Sequence, residues 1–379
     1  MRSRMHPKYY LSQEIFELER KKIFRKTWLF AGLKSFLQKN NSYITKNIAG
    51  IPVVIQNFNG NLHAFENVCL HRSAPLQQDF AGVRALVCPY HGWGYDSQGC
   101  IKNIPGCDEI YKLEKTEKQS LKLREFALVE LGGLLFINLA SDPMPFEDQF
   151  SSKFIALLRS SADSYDSEVI MTTWRAKFNW KLAYENLRDF NHVKYLHAKS
   201  LARVANFPFK AGEQDLAVAP LSDCSASALR EEMRNFSYGG PEGEIETIRR
   251  VPWLAQVERW GETDAYFNWL AYPNLHIASG NGGYSFAVEN HVPISPAETD
   301  VELYFLTAKK KNKYAFSPQV LLAHMHYGKQ ILTEDIDMLE GIQSVIHMDA
   351  PVPTQGEYEG TNRQIERWYT TLMETGHEI

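Results

Sequence analysis

Two short stretches carry side chains suited to metal chemistry. Residues 69–72 read Cys-Leu-His-Arg, and residues 88–95 read Cys-Pro-Tyr-His-Gly-Trp-Gly-Tyr. The pattern is Cys-x-His followed by Cys-x-x-His, so Cys69, His71, Cys88 and His91 supply two thiols and two imidazoles. Such a set could hold one tetrahedral zinc. Zinc fingers, however, pair two Cys on one loop and two His on the other, whereas each loop here carries one of each. That mixture suits a [2Fe–2S] cluster with one iron held by both Cys and the other by both His. Neutral imidazole in place of anionic thiolate raises the reduction potential. Gly92 and Gly94 let the backbone pass close to the cluster, Pro89 stiffens the loop, and Trp93 is placed to shield it. Cys100, Cys107 and Cys224 have no His at ligand spacing and read as buried or idle thiols.

A second constellation lies in residues 180–198, WKLAYENLRDFNHVKYLHA, with Asp189 three residues before His192 and His197 five after it. On a regular helix the two imidazoles diverge by about 140°, so they share a metal only where the helix ends or bulges. With one carboxylate they make the facial triad that holds non-haem Fe(II) and leaves positions open for O2. Residues 331–346, ILTEDIDMLEGIQSVI, supply the candidates. As a helix, this stretch puts Asp335 on a face with Ile331, Leu332, Met338, Leu339 and Ile342, which should be buried. A buried carboxylate needs a metal or an ion-pair partner, and Asp335 is the expected ligand. Asp337 shares its face with Thr333, Glu334, Glu340 and Gly341 and should be solvated. Glu185 and Asn186, a turn before Asp189, are candidates for supporting the ligands. His324 and His326 read as structural or surface groups. Lys309, Lys310, Lys311 and Lys313 read as a solvated loop rather than a docking patch.

The elements that must hold these groups follow from the pattern. Residues 42–48, 51–58, 62–68, 83–88, 101–104 and 126–139 read as short strands, with a tight turn at Asn59-Gly60-Asn61. Residues 11–30, 147–164, 181–196 and 317–347 carry helical spacing, and strands are expected at 171–179, 265–279, 284–293 and 300–308. The stretch 201–245 reads as loops. The fold class is therefore α+β: a small all-β domain followed by a larger mixed one. Among 379 residues, 44% are apolar and 23% charged, which excludes a disordered or fibrous chain. Lys plus Arg is 41 against 45 Asp plus Glu, a poor balance for holding a phosphate backbone, so nucleic acid is not an expected partner. Five Cys suggest a reducing compartment. No apolar h-region follows the N-terminus, and the longest near-apolar run, 131–140, is half the length a spanning helix needs. A soluble, cytoplasmic protein without membrane contact is expected.

The stretches CLHRSAPL and CPYHGWGYDSQG resemble the Rieske iron–sulfur family. Ala74 and Tyr90 stand where the Rieske proteins of respiratory complexes carry a disulfide, so the likeness is to Rieske ferredoxins and oxygenases. Ser73 departs from the Gly usual in the oxygenases. WLFAG at 28–32, GGLLFINL at 132–139, Asp-x-x-His-x4-His, YPNLHI at 272–277 and the pair Glu334-Asp335 fall in family order. Across essentially its whole length the chain resembles the catalytic (alpha) subunit of Rieske non-haem iron oxygenases, the aromatic-ring-hydroxylating dioxygenases. The resemblance implies a Rieske [2Fe–2S] domain at 30–142. It implies a helix-grip (START-like) antiparallel-sheet catalytic domain from 1–29 and 143–379. One [2Fe–2S] cluster and one mononuclear Fe(II) per chain are implied, the latter held by His192, His197 and Asp335. Asp189 falls at the place of the family's acid that bridges to a neighbour's cluster. A homotrimer (or α3β3) is implied, served by a ferredoxin and/or flavin reductase, since no flavin or nicotinamide fingerprint is present. With O2 it would mono- or dioxygenate a small organic substrate, with Asp189 favouring an aromatic one. Oxidative N- or O-demethylation, or oxygenation of a quaternary amine (carnitine- or choline-like), stays open. A Rieske-type electron carrier is the alternative outside oxygenases.

Overall fold

The computed structural model describes residues 2–189, 191–201, 241–244, 252–262, 265–312, 318–356 and 359–375. The chain divides into two units, Phe24–Pro143 and the pair Met1–Ile23 with Met144–Ile379. The expected loops at 202–240, together with Cys224 and Lys313, lie outside the described residues.

In the smaller unit, β-branched runs bounded by turn residues give antiparallel strands. β1 is Leu29–Leu33, β2 Ser42–Ile48, β3 Ile51–Phe58, β4 Asn61–Glu66, β5 Ala81–Val83, β6 Gly94–Tyr95, β7 Ile101–Asn103, β8 Glu125–Leu131 and β9 Leu134–Asn138. A seven-stranded sheet runs β1-β9-β8-β4-β3-β2-β5, with β6 and β7 as a separate ribbon. Asn59 and Gly60 both take positive φ, 54° and 98°, as a two-residue hairpin of right-handed twist requires. The strand expected at 83–88 stops at Val83. Beyond it the Arg84 carbonyl is taken by the Gln56 and Gln77 amides, and its guanidinium binds the carbonyls of Leu76 and Val87. Side chains replace the ladder there, and the freed backbone becomes the approach to Cys88.

The larger unit holds a six-stranded antiparallel sheet in the order β10-β15-β14-β13-β12-β11. Its strands are β10 Tyr165–Ala176, β11 Pro241–Glu244, β12 Ala265–Ala271, β13 Leu275–Ser279, β14 Ser285–Ser295 and β15 Glu298–Ala308. From Val301 to Ala308 every residue of β15 is buried, so both faces of the strand are covered. The helix Pro318–Val345 packs near β15, where a Cβ on Gly328 would stand 2.2 Å from the Phe305 ring. Only glycine permits that approach. The segment expected as one helix at 181–196 is two, Trp180–Leu187 and Asn191–Leu196.

A buried ion pair fixes the head of the helix Trp180–Leu187. Lys181 Nζ lies 2.6 Å from Glu19 Oε1, the Trp180 indole N–H donates to Glu19 Oε2 at 2.8 Å, and the Tyr369 hydroxyl donates to the same carboxylate. Burial lowers the Lys181 pKa against the pull of Glu19. The pair survives burial because every carboxylate oxygen has a donor. It ties the helices Gln13–Glu19 and Gly360–Thr375 to the one that carries the site.

Candidate metal centres

In the smaller unit, Cys69 and Cys88 are buried at 1% and 2% exposure beside Leu76, Leu86, Trp93 and Tyr95. The two loops close with matched backbone bonds: Ser73 N–H to the Cys69 carbonyl, and Gly92 N–H to the Cys88 carbonyl. Each turn needs a left-handed residue, Ser73 at φ 55° and Gly92 at φ 73°. Gly94 has no such need, as a Cβ there would meet only ordinary contacts, the nearest Val87 Cγ2 at 3.6 Å. His71 and His91 face each other with Nδ1 atoms 3.1 Å apart. With both neutral rings carrying their proton on Nε2, the two Nδ1 lone pairs face a common point. Burial, with His91 and Arg72 nearby, lowers the His71 pKa and favours the neutral ligand form. Trp93 stacks on His71 at 5.0 Å and 8°, and Tyr111 meets both rings edge-on. The donor set fits a cluster held by two thiolates and two imidazoles.

Sequence reasoning missed Tyr95. Its oxygen accepts from the Leu70 N–H at 3.0 Å and lies 3.3 Å from Cys69 Sγ, where the hydroxyl can donate to a Cys69 thiolate. Burial and that sulfur raise the Tyr95 pKa. Cys100 and Cys107 are free thiols, half-buried.

In the larger unit, the helix Asn191–Leu196 ends before His197, which turns back toward His192; the ring centroids are 5.1 Å apart. One donor atom each from His192, His197 and Asp335 lies within 4.8 Å of the others. His192 Nδ1 meets the Asp189 carbonyl, and His197 Nδ1 lies 2.7 Å from Glu334 Oε2. Both imidazoles therefore donate through Nδ1 and aim Nε2 at Asp335 Oδ1, at 3.6 Å and 3.0 Å. Three lone pairs converging on one point repel unless a cation stands among them. The residues thus fit one metal ion. Burial lowers the His192 pKa; at His197 burial acts the same way but Asp335 and Glu334 outweigh it, and the pKa rises.

Asn186 donates to Asp335 Oδ1 at 2.9 Å, whereas Glu185 turns to the Tyr10 hydroxyl. Glu334, expected on the solvated face, instead binds His197 and accepts from Ser200 at 2.6 Å. Adjacent helical residues lie about 100° apart, and a long glutamate side chain reaches around that angle. Asp337 is exposed, but so are Met338 and Ile342, at 47% and 37%. The buried stripe runs through Leu321, Ile336 and Leu339. Asp189 caps the next turn, its carboxylate accepting from the Asn191 N–H at 2.9 Å. His326 is exposed, and His324 packs on Trp253, its pKa pushed down by burial to about 4. Lys310 pairs with Glu168 at 2.6 Å. No helix among the described residues is long and apolar enough to cross a membrane.

A family model described as Rieske [2Fe-2S] domain matches residues 27–121, and one described as ring hydroxylating alpha subunit (catalytic domain) matches residues 155–375. The chain is 34% identical over 199 residues to the glycine betaine monooxygenase oxygenase subunit of Pseudomonas aeruginosa, a match covering 51% of this chain and 44% of the relative. It is 32% identical over 195 residues to the large oxygenase component of the naphthalene 1,2-dioxygenase system of Pseudomonas putida, covering 50% and 43%. The chain spans about half the length of the curated relatives it matches. A crystal structure of a quaternary ammonium Rieske monooxygenase superposes with TM-score 0.73 at 17% identity, over 97% of this chain and 95% of that one. At that identity the likeness concerns the fold.

Proposed function

The chain belongs to the ring-hydroxylating alpha subunits that carry a Rieske domain, and from that premise we propose that it is the terminal oxygenase component of a multicomponent system. It takes electrons from a separate ferredoxin and/or flavin reductase and uses O2 to hydroxylate a small organic substrate. The observation that carries this reading is the convergence of His192, His197 and Asp335 in a chain that also pairs the two Cys-and-His loops. Cys69, Cys88, His71 and His91 would hold the [2Fe–2S] cluster, and His192, His197 and Asp335 the mononuclear iron. When bound, the cluster supplies electrons singly and the iron supplies an open site for O2. The Asp189 carbonyl and Glu334 hold the two imidazoles with Nε2 aimed inward, and Asn186 fixes one oxygen of Asp335. The Asp189 carboxylate is assigned the bridge to a neighbouring subunit in a homotrimer. Asp189→Ala should keep both metals, by iron content and cluster absorbance, and lose product formation; unchanged turnover removes the bridging role.

An aromatic substrate is the first reading, resting on Asp rather than Glu at residue 189. A quaternary amine is the second, supported by relatives named as glycine betaine and carnitine monooxygenase oxygenase subunits. Purified protein with about three iron atoms per chain, consuming O2 when a reductase is present, supports the oxygenase; two iron atoms and no O2 uptake support an electron carrier instead. Mass spectrometry of products from an aromatic-acid panel and a quaternary-amine panel separates the two substrate classes.

A further inference from the structure

The helix that presents Asn186 to Asp335 also carries Tyr184, two residues earlier, and Tyr184 leads to buried polar groups on the sheet. Its ring lies 5.6 Å from the ring of His291 on β14. His291 Nε2 stands 3.6 Å from Glu289 Oε2, and the same oxygen is 3.1 Å from His276 Nδ1 on β13. His276 Nε2 in turn contacts Asn268 Oδ1 at 2.8 Å, which fixes its ring. Glu289 and His276 are direct register partners, and Glu289 and His291 alternate along β14, so all three share one sheet face.

Three atoms of this cluster lack a hydrogen-bond partner, among them His276 Nδ1 despite its 3.1 Å approach to Glu289. The Tyr184 hydroxyl and His291 Nδ1 are buried without a hydrogen-bond partner, in side chains 0% and 3% exposed. Buried polar atoms are rarely left so, unless water or a ligand completes them. The opposite face gives the contrast. There Asn274, Asn290, Glu302 and Tyr304 close on one another at 2.8 to 2.9 Å. A sheet that satisfies one polar cluster internally leaves the other, beside the site helix, with free acceptors. Burial would raise the Glu289 pKa, but His276 beside it outweighs burial, the pKa is lowered and the carboxyl stays ionised at neutral pH. Burial pushes His291 to about 4, so it adds no positive charge. A carboxylate, an imidazole acceptor and an aromatic ring make a complement for a cation.

We infer that Glu289, His291 and Tyr184 form a polar subsite that takes the cationic amine end of the substrate. This rests on the oxygenase reading and names the chemistry its substrate carries. Binding to the full-length, iron-loaded protein is measured by calorimetry at pH 7.5 with two pairs matched in shape: choline against 3,3-dimethylbutanol, and benzylammonium against benzyl alcohol. At least one cation should bind tenfold or more tightly than its neutral partner. Glu289→Gln should remove that preference, and Tyr184→Phe, which deletes only the hydroxyl, should weaken it. Glu302→Gln on the other face should leave it intact. Equal binding within both pairs, no cation binding at all, or a preference untouched in Glu289→Gln overturns the subsite. Cation-selective binding without O2-dependent product from any substrate would leave the subsite standing and count against the oxygenase reading alone.

Discussion

Glu334 shows how little separates a ligand from its support in this chain. It sits beside Asp335 on the same helix, yet its carboxylate fixes the proton of His197 Nδ1 instead of joining the inward donors. Groups that orient a metal-bound imidazole typically govern affinity by about 10–100-fold. Glu334→Ala should therefore weaken iron retention by about that factor, read by competition with a chelator, while the cluster absorbance stays unchanged. Loss of both metals together would mean that the substitution unfolds the chain instead. Glu185, one helical turn before Asp189, behaves differently. Burial raises its pKa to about 7, with Tyr10 opposing and Glu366 assisting. Below about pH 4.5 the carboxyl is protonated in folded and unfolded chains alike, and its full contribution is present. As pH rises toward 7 the unfolded chain releases the proton first, so folding weakens. The span from 4.5 to about 7 corresponds to about 3 kcal/mol. Glu185→Gln should thus stabilise the protein by up to that amount at pH 8 and by almost nothing near pH 4. Urea titrations at the two pH values test this, and an equal effect at both would show that the carboxyl is not the source.

At the scale of elements, the legible parts were those where a chemical constraint is local. The pairs Cys69 with His71 and Cys88 with His91 stand on single loops, and their spacing alone implies loop geometry. The hairpin from β3 to β4 follows from Asn59 and Gly60. The helix Gly360–Thr375 escaped notice, although Ile365, Trp368, Tyr369 and Leu372 are buried at helical spacing; polar residues interleave them and dilute the stripe. Tyr95 and Glu334 escaped for another reason, since each acts on a residue distant in sequence through a contact that only folding creates. The face assigned to Asp335 was right only in part: Leu339 is buried and Ile331 and Leu332 are half-buried, while Met338 and Ile342 are exposed, and the buried Ile336 was not assigned to it. Gly328 is a further long-range constraint, and it makes a prediction about the helix as a body. Ala is about 1 kcal/mol better than Gly within a helix, but a Cβ at residue 328 would meet the Phe305 ring. Overpacking of that kind costs about 1–3 kcal/mol. Gly328→Ala should lower thermal stability and also weaken iron binding, because Asp335 lies two turns along the same helix. Gly341→Ala, which has nothing within 4 Å, should raise stability and leave iron unaffected. If both variants behave alike, Phe305 yields and the contact does not set the helix position.

For the molecule as a whole, the question is whether one chain suffices. The helix Pro318–Val345 exposes Met338, Ile342 and Val345 at spacings of four and three, with Met348 just beyond, between 37% and 71% exposed. Apolar side chains at that spacing form a continuous stripe, the kind of surface a second copy covers. An assembly matters here because, among the described residues of its own chain, the Asp189 carboxylate is hydrogen-bonded to the N–H of Asn191 at the following turn. Its assigned bridge must then be made to another subunit. Two defective chains test this directly. One, Cys69→Ser with Cys88→Ser, lacks the cluster; the other, His197→Ala, lacks the mononuclear site. Each alone should be inactive. Co-expressed in equal amounts and purified through tags on both, every trimer is mixed and places an intact cluster beside an intact iron site at about a third of its head-to-tail contacts. Activity should therefore return to about a third of the unmodified level. If every electron stays within its own chain, no mixed assembly contains a complete pair and the mixture stays inactive. That result would remove the bridging role of the Asp189 carboxylate and leave it its capping bond to Asn191, beside the carbonyl's hold on His192.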